Sequence, residues 1–206
     1  MTERNEMNVW DRIEQSRERC NVLEHPFYER WSAGELTDDE LARYSGQYGH
    51  AVRAIADLAG SISSGAPRRD DLRRHAAEEA DHVEIWDGFT AAVGGSVDSA
   101  PTQETADCVR AWSRPGSLVD DLARMYAIES GQPEISRTKL AGLRDHYGVP
   151  AGAGTRYFEL HEELDVLHAD EGRRLLNEVA VAEDEDAIVD AAETAFAANW
   201  RLLDGV

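Results

Sequence analysis

The run His161-Glu162-Glu163-Leu164-Asp165-Val166-Leu167-His168 constrains this chain more than any other segment. His161, Asp165 and His168 stand at i, i+4 and i+7. At about 100° per residue their offsets are roughly 40° and −20°, so a helix carries them on one narrow stripe. Two imidazoles and a carboxylate on one stripe can face a single metal ion. Upstream, Glu79-Ala80-Asp81-His82 reads Glu-x-x-His, the i, i+3 spacing of helices that build di-iron carboxylate sites inside bundles. A third carboxylate, Glu129, sits in the largely apolar context Met125-Tyr126-Ala127-Ile128-Glu129-Ser130. Each piece alone also reads as the solvated face of a helix in an acidic chain. Together, three helices offer three His and three carboxylates, a sensible set for two iron ions, in a chain with only seven His.

The rest of the sequence agrees with a helical scaffold. Val, Ile and Leu recur at three and four, and β-branched alternation is absent. An amphipathic segment around 7–23 is broken by His25-Pro26, because the residue before proline avoids the α region. Phe27 to Trp31 forms a short helical turn ended by Gly34. Thr37-Asp38-Asp39-Glu40 is a capping box that opens a long helix to about Ser64, carrying Leu41, Tyr44, Tyr48, Val52, Ile55 and Leu58. Further helices are expected over about 69–93, 103–113, 117–147, 154–179 and 185–202, with Pro133 kinking the third of these one turn after Glu129. The expectation is an all-α fold, a single-domain seven-helix bundle over 1–206, with a length that can bury a full core.

Composition narrows the function. With 41 acidic against 21 basic residues the net charge is −20, which argues against binding DNA or RNA through phosphates. No 18-residue apolar run exists, so no membrane span is expected. The polar N-terminus lacks a signal-peptide core, and Cys20 and Cys108 read as free thiols, so a cytoplasmic location is expected. The acid excess fits a strongly solvated surface, as in a high-salt cytoplasm. Of the 21 basic residues one is lysine, Lys139. Arginine cannot replace lysine where a deprotonatable amine is needed, because guanidinium stays charged. A lone lysine must also sit somewhere by chance, so composition alone leaves its role open.

At these residues the chain resembles the haem-oxygenase-like di-iron oxidases, which share the TenA/PqqC-like fold. Within them it is most similar to the CADD-type self-sacrificing para-aminobenzoate synthases. The resemblance runs from about Leu23 to Leu176. It is carried by Glu24-His25-Pro26-Phe27-Tyr28, Trp31-Ser32-Ala33-Gly34-Glu35-Leu36-Thr37, Glu78-Glu79, His82 to Trp86, Tyr126 to Ser130, Lys139-Leu140-Ala141-Gly142-Leu143, Tyr157-Phe158, and His161 to Ala169. The resemblance implies that Glu79 (or Glu78), His82, Glu129, His161, Asp165 and His168 hold the metals. CADD itself has a few more residues between its Glu and His than this chain, which leaves both Glu79 and Glu78 geometrically open.

The resemblance further implies that Tyr28 supplies the ring of para-aminobenzoate, a folate precursor, and that Lys139 supplies its amino group. Tyr44 and Tyr48 match aromatic positions near the family's site, although core packing also accounts for them. Implied cofactors are two Fe ions, or iron with manganese, with O₂ as co-substrate and an external reductant. A homodimer suits a bundle of this kind, though no residue pattern marks its interface. Three other readings stand beside this one. The first is a conventional di-iron oxidase acting on an external amino acid or fatty acid. The second is a thiaminase-type hydrolase using Cys20 or Cys108. The third is a non-catalytic interaction protein.

Overall fold

Thr37 opens the longest helix as a capping box: its hydroxyl accepts from the Glu40 amide at 3.3 Å, and its own amide donates to the Glu40 carboxylate at 2.8 Å. Ser117 and Asp120 repeat the device on a later helix. The computed structural model describes residues 8–181 and 184–206. The polar stretch 1–7 and positions 182–183 lie outside the described residues. Among the described residues nine α-helices follow in order: α1 Val9–Arg19, α2 Pro26–Ala33, α3 Asp38–Gly65, α4 Asp70–Ala92, α5 Gln103–Trp112, α6 Leu118–Ser130, α7 Gln132–Asp145, α8 Arg156–Val179 and α9 Glu185–Asp204. Among the described residues there is no strand, and no helix is long and apolar enough to cross a membrane.

The expected all-α bundle is present, with two more helices than the seven expected. The segment 26–33 is a full helix because His25 caps it, its Nδ1 accepting from the Phe27 amide at 3.1 Å, and Pro26 starts it with a fixed φ. Gly34 ends it at φ 71°, a left-handed conformation that a glycine adopts without strain. The segment 117–147 does not merely kink but divides. Pro133 has no N–H to give the carbonyl four residues back, which belongs to Glu129, and the Gly131 amide caps that carbonyl instead.

α3 lies along α4, α8 packs on α6 and α7 and meets α4, and α9 closes the bundle against α1, α5 and α6. The helices α4, α6 and α8, which carry the expected metal ligands, are therefore neighbours. Trp31, Trp86 and Trp112 have no exposed surface. Each buried indole N–H reaches a carbonyl, of Lys139 at 3.3 Å, Ser45 at 2.8 Å and Ala195 at 3.1 Å. The first of these ties α2 to α7. Their approach depends on Gly142, where a Cβ would stand 2.4 Å from the Trp31 Nε1.

Candidate metal centre

α8 presents His161, Asp165 and His168 to the interior, all three buried. α4 presents Glu79 and His82, also buried, and α6 adds Glu129. These six residues, drawn from three helices, converge. Glu79 Oε1 lies 3.1 Å from His82 Nδ1, and the His82 and His161 rings are 4.5 Å apart. His168 Nδ1 lies 3.8 Å from Glu129 Oε1 and 3.5 Å from Asp165 Oδ1. Glu78, the alternative to Glu79, is turned outward: its side chain is 37% exposed and reaches Nε2 on the far side of the His168 ring at 3.4 Å.

A seventh residue stands with them that the sequence reading did not single out. His75 Nε2 is 2.7 Å from Glu129 Oε1, and the His75 ring lies 4.3 Å from that of His168. The signal was available in the sequence. His75, Glu79 and His82 stand at i, i+4 and i+7, the same spacing as His161, Asp165 and His168. Two sets have ligand atoms within 4.8 Å of one another: His75, Glu79, Glu129 and His168, and Glu79, His82 and His161. Glu79 belongs to both.

The chemistry of the donors fits a metal better than any internal pairing. His75 Nε2, His82 Nδ1, Glu129 Oε1, His168 Nδ1 and both oxygens of Asp165 are buried without an aligned hydrogen-bond partner. Buried polar atoms are nearly always hydrogen-bonded, so such a cluster of orphans, all acceptors or imidazole nitrogens, marks a place where cations belong. His161 shows the matching arrangement on its other face, where Nδ1 donates to the Tyr157 carbonyl at 2.7 Å and leaves Nε2 free to ligate. Burial raises the Asp165 carboxyl and lowers the His161 imidazole. Burial alone would also raise Glu79, but the imidazoles of His82, His161 and His75 hold it below the usual range.

An aromatic chamber adjoins the cluster. Tyr157 stacks on His161 at 3.9 Å and meets Trp86 edge-on at 4.7 Å. Beyond Trp86 lie Tyr48, Tyr44 and Tyr28, with the Tyr28 and Tyr44 hydroxyls 3.3 Å apart. The Lys139 amine sits in the middle, 5.7, 5.3, 4.7, 5.6 and 5.1 Å from the ring centres of Tyr28, Tyr44, Tyr48, Trp86 and Phe158. Lys139 is 1% exposed and pairs with no carboxylate among the described residues. Burial pulls its amine down from 10.5 to about 7. Burial pushes the hydroxyls of Tyr28 and Tyr44 well up, so both stay neutral. Tyr44 and Tyr48 thus both line the chamber.

The two cysteines belong to neither feature. Cys20 is half-buried and Cys108 buried, both free. Burial pushes each thiol up. A catalytic thiol is shifted in the opposite direction.

Known proteins share this arrangement's scaffold. A chlamydial protein named 4-aminobenzoate synthase, from Chlamydia trachomatis, is 30% identical over 96% of this chain and 91% of its own. Among solved structures, a Shewanella denitrificans domain with a haem oxygenase-like fold superposes with a TM-score of 0.81 at 20% identity, covering 98% of this chain and 92% of that one. A TenA homologue from Pseudomonas syringae gives 0.78 at 16% identity, covering 95% and 89%. These two likenesses establish the haem oxygenase-like fold. A family model described as iron-containing redox enzyme matches residues 43–200, a span that takes in the buried His and carboxylate cluster of α4, α6 and α8. The chain belongs to this family of iron-containing redox enzymes with a haem oxygenase-like fold.

Proposed function

We propose that this protein is a para-aminobenzoate synthase that consumes itself, with Tyr28 as the source of the ring and Lys139 as the amino donor. One observation carries the reading: the only lysine amine of the chain stands in a closed aromatic chamber, uncompensated by any carboxylate among the described residues, 5.7 Å from the centre of the Tyr28 ring. The name 4-aminobenzoate synthase borne by the chlamydial relative supports the product. The space supports an internal substrate. The cavity that reaches His75, Glu129 and His168 has a volume of about 20 Å³, room for roughly one water. The side chains of Tyr157, Trp86, Tyr48 and Tyr44 fill the path between the cluster and Tyr28.

The ligands are Glu79, His82, Glu129, His161, Asp165 and His168, and two iron ions held by them would supply the oxidising power by reducing O₂ with electrons from an external reductant. The protein's own residues do the rest. Tyr44 fixes the Tyr28 hydroxyl at 3.3 Å. The Lys139 amine, about half deprotonated near pH 7, offers a lone pair for forming the C–N bond, which a guanidinium would not. The indole and phenol walls keep water from reactive ring species. For para-aminobenzoate to result, the Cα–Cβ bond of Tyr28 must break. Cβ is oxidised to the carboxylate carbon with O₂ as oxidant. The Lys139 nitrogen condenses at the ring carbon as the phenolic oxygen leaves as water, and the Cε–Nζ bond then breaks by hydrolysis of the imine at Cε, leaving an aldehyde there. Turnover is one per chain.

Intact-protein mass spectrometry before and after Fe(II), reductant and O₂, with para-aminobenzoate assayed in the same tube, tests this. Mass loss at Tyr28 with stoichiometric product is expected. Tyr28→Phe should give no product, and Lys139→Arg should keep iron but lose product. O₂ uptake over many turnovers with an unchanged chain would sink the proposal in favour of an oxidase with an external substrate.

A further inference from the structure

We infer that His75 is itself a metal ligand, so that the centre is a seven-residue set of four imidazoles and three carboxylates in two subsites bridged by Glu79. The inference rests on the two-metal reading above and adds a residue to it. α4 and α8 pass each other at this level with matched stripes. His82 faces His161 at 4.5 Å between ring centres, and Glu79, three residues from His82, and Asp165, four from His161, occupy the middle. At the other end His75 faces His168 at 4.3 Å. Each stripe thus contributes one imidazole to each end, and each subsite receives two. Without His75, one end would hold two imidazoles and the other only one.

An ordinary structural histidine would spend its buried nitrogen in a hydrogen bond. His75 Nε2 does not: it lies 2.7 Å from Glu129 Oε1 without alignment, and both atoms remain orphaned. The same condition holds for His168 Nδ1, and the three atoms border a cavity of about 20 Å³. A pair of imidazoles and a carboxylate closing on a space of that size suits a divalent first-row cation. On the outer side, Glu78 Oε2 stands 3.4 Å from His168 Nε2. Glu78 thus stands outside the subsites as a positioning residue: its carboxylate charge beside Nε2 favours a proton there and leaves Nδ1 for the metal.

The test uses metal-free full-length protein and Co(II) alone as probe, followed by calorimetry, visible absorption and metal analysis after gel filtration. Wild type should bind two Co(II) per chain. His75→Ala should retain one, with circular dichroism unchanged, and His75→Glu should recover the second with altered absorption bands. Binding of two ions by His75→Ala at wild-type affinity would overturn the inference and leave the two-metal reading standing. Binding of a single ion by wild type would overturn the two-metal reading. In that case loss of this ion in His75→Ala still makes His75 a ligand, and its retention rules that role out.

Discussion

Replacing Lys139 by methionine should stabilise the protein, although it removes the amine that the proposed chemistry needs. Lys139 lies wholly inside the bundle, and burial pulls its amine from 10.5 to about 7. At about 1.4 kcal/mol per pH unit, such a depression corresponds to ~5 kcal/mol of disfavoured ammonium. The five surrounding rings, 4.7 to 5.7 Å from Nζ, return on the order of 2 kcal/mol of cation–π attraction while the amine is charged. About 3 kcal/mol of net cost remains. Methionine has a similar straight stem, fills irregular space well and carries no charge to desolvate.

The pH dependence identifies the cause. Between about 7 and 10.5 the unfolded chain holds the lysine proton more firmly than the folded one, so wild-type stability rises with pH across that window. The penalty is absent above 10.5, grows as pH falls toward 7, and is constant below. Urea denaturation of wild type and Lys139→Met at pH 7 and pH 10 measures it. The variant should be more stable by about 3 kcal/mol at pH 7, and the gap should nearly close at pH 10. A variant that is less stable than wild type at both values, or a gap independent of pH, would refute the reasoning and mean that the amine keeps its proton in the fold.

Other substitutions probe the scaffold and the centre. Gly142→Ala places a Cβ 2.4 Å from Trp31 Nε1 and 2.6 Å from its Cδ1; overpacking should cost about 1–3 kcal/mol in a melt and lower product yield by shifting α2 away from α7. Glu79→Gln removes the carboxylate common to both ligand sets and should leave less than one Co(II) per chain, whereas Glu78→Gln should keep two with about 10–100-fold weaker affinity. Tyr44→Phe leaves the buried Tyr28 hydroxyl without its partner; a loss of roughly 1–3 kcal/mol in urea denaturation is expected, with metal content unchanged.

Most of the ligand set is legible in the sequence because it is periodic, and the chamber is not legible because it is not periodic. His161, Asp165 and His168 were legible because ligand spacing and helix stripe coincide there, and the capping box at Thr37 announced α3 directly. His75 carries the same periodic signal, one turn before Glu79, but the Glu-x-x-His spacing alone does not include it. Pro133 announced a disturbance near Glu129, but whether a helix bends or divides depends on who caps the freed carbonyl, and here Gly131 does. The chamber is a different matter. Tyr28 and Lys139 are far apart in the chain, and no local rule brings them together. Their meeting depends on the indole of Trp31 lying over Gly142, which composition does not encode. Only the family resemblance pointed to both residues.

Self-consumption has a structural consequence that sets it apart from ordinary turnover. Tyr28 is 2% exposed and packs edge-on against Phe27, with Trp31 and Lys139 also against it. Cutting its Cα–Cβ bond removes a full aromatic side chain from the core, a loss that costs about 3–5 kcal/mol when made by mutation. A glycine-like residue then left in the middle of α2 adds up to about 1 kcal/mol. In a chain of 206 residues, each kcal/mol lowers Tm by roughly 2–4 °C, so the spent protein should melt on the order of 10 °C or more below the fresh one. Tyr28→Gly makes the same hole without any chemistry and should melt with the spent protein, while Tyr28→Phe, which keeps the ring but leaves the buried Tyr44 hydroxyl without its partner, should lose only roughly 1–3 kcal/mol and melt between wild type and Tyr28→Gly. If Tyr28→Gly melts with wild type, the ring is not a structural member of the core, and a loss of stability after reaction would have to come from damage elsewhere. If it melts with the spent chain, loss of the ring opens a cavity where α2 meets α7, beside the side chain of Lys139, the proposed amino donor.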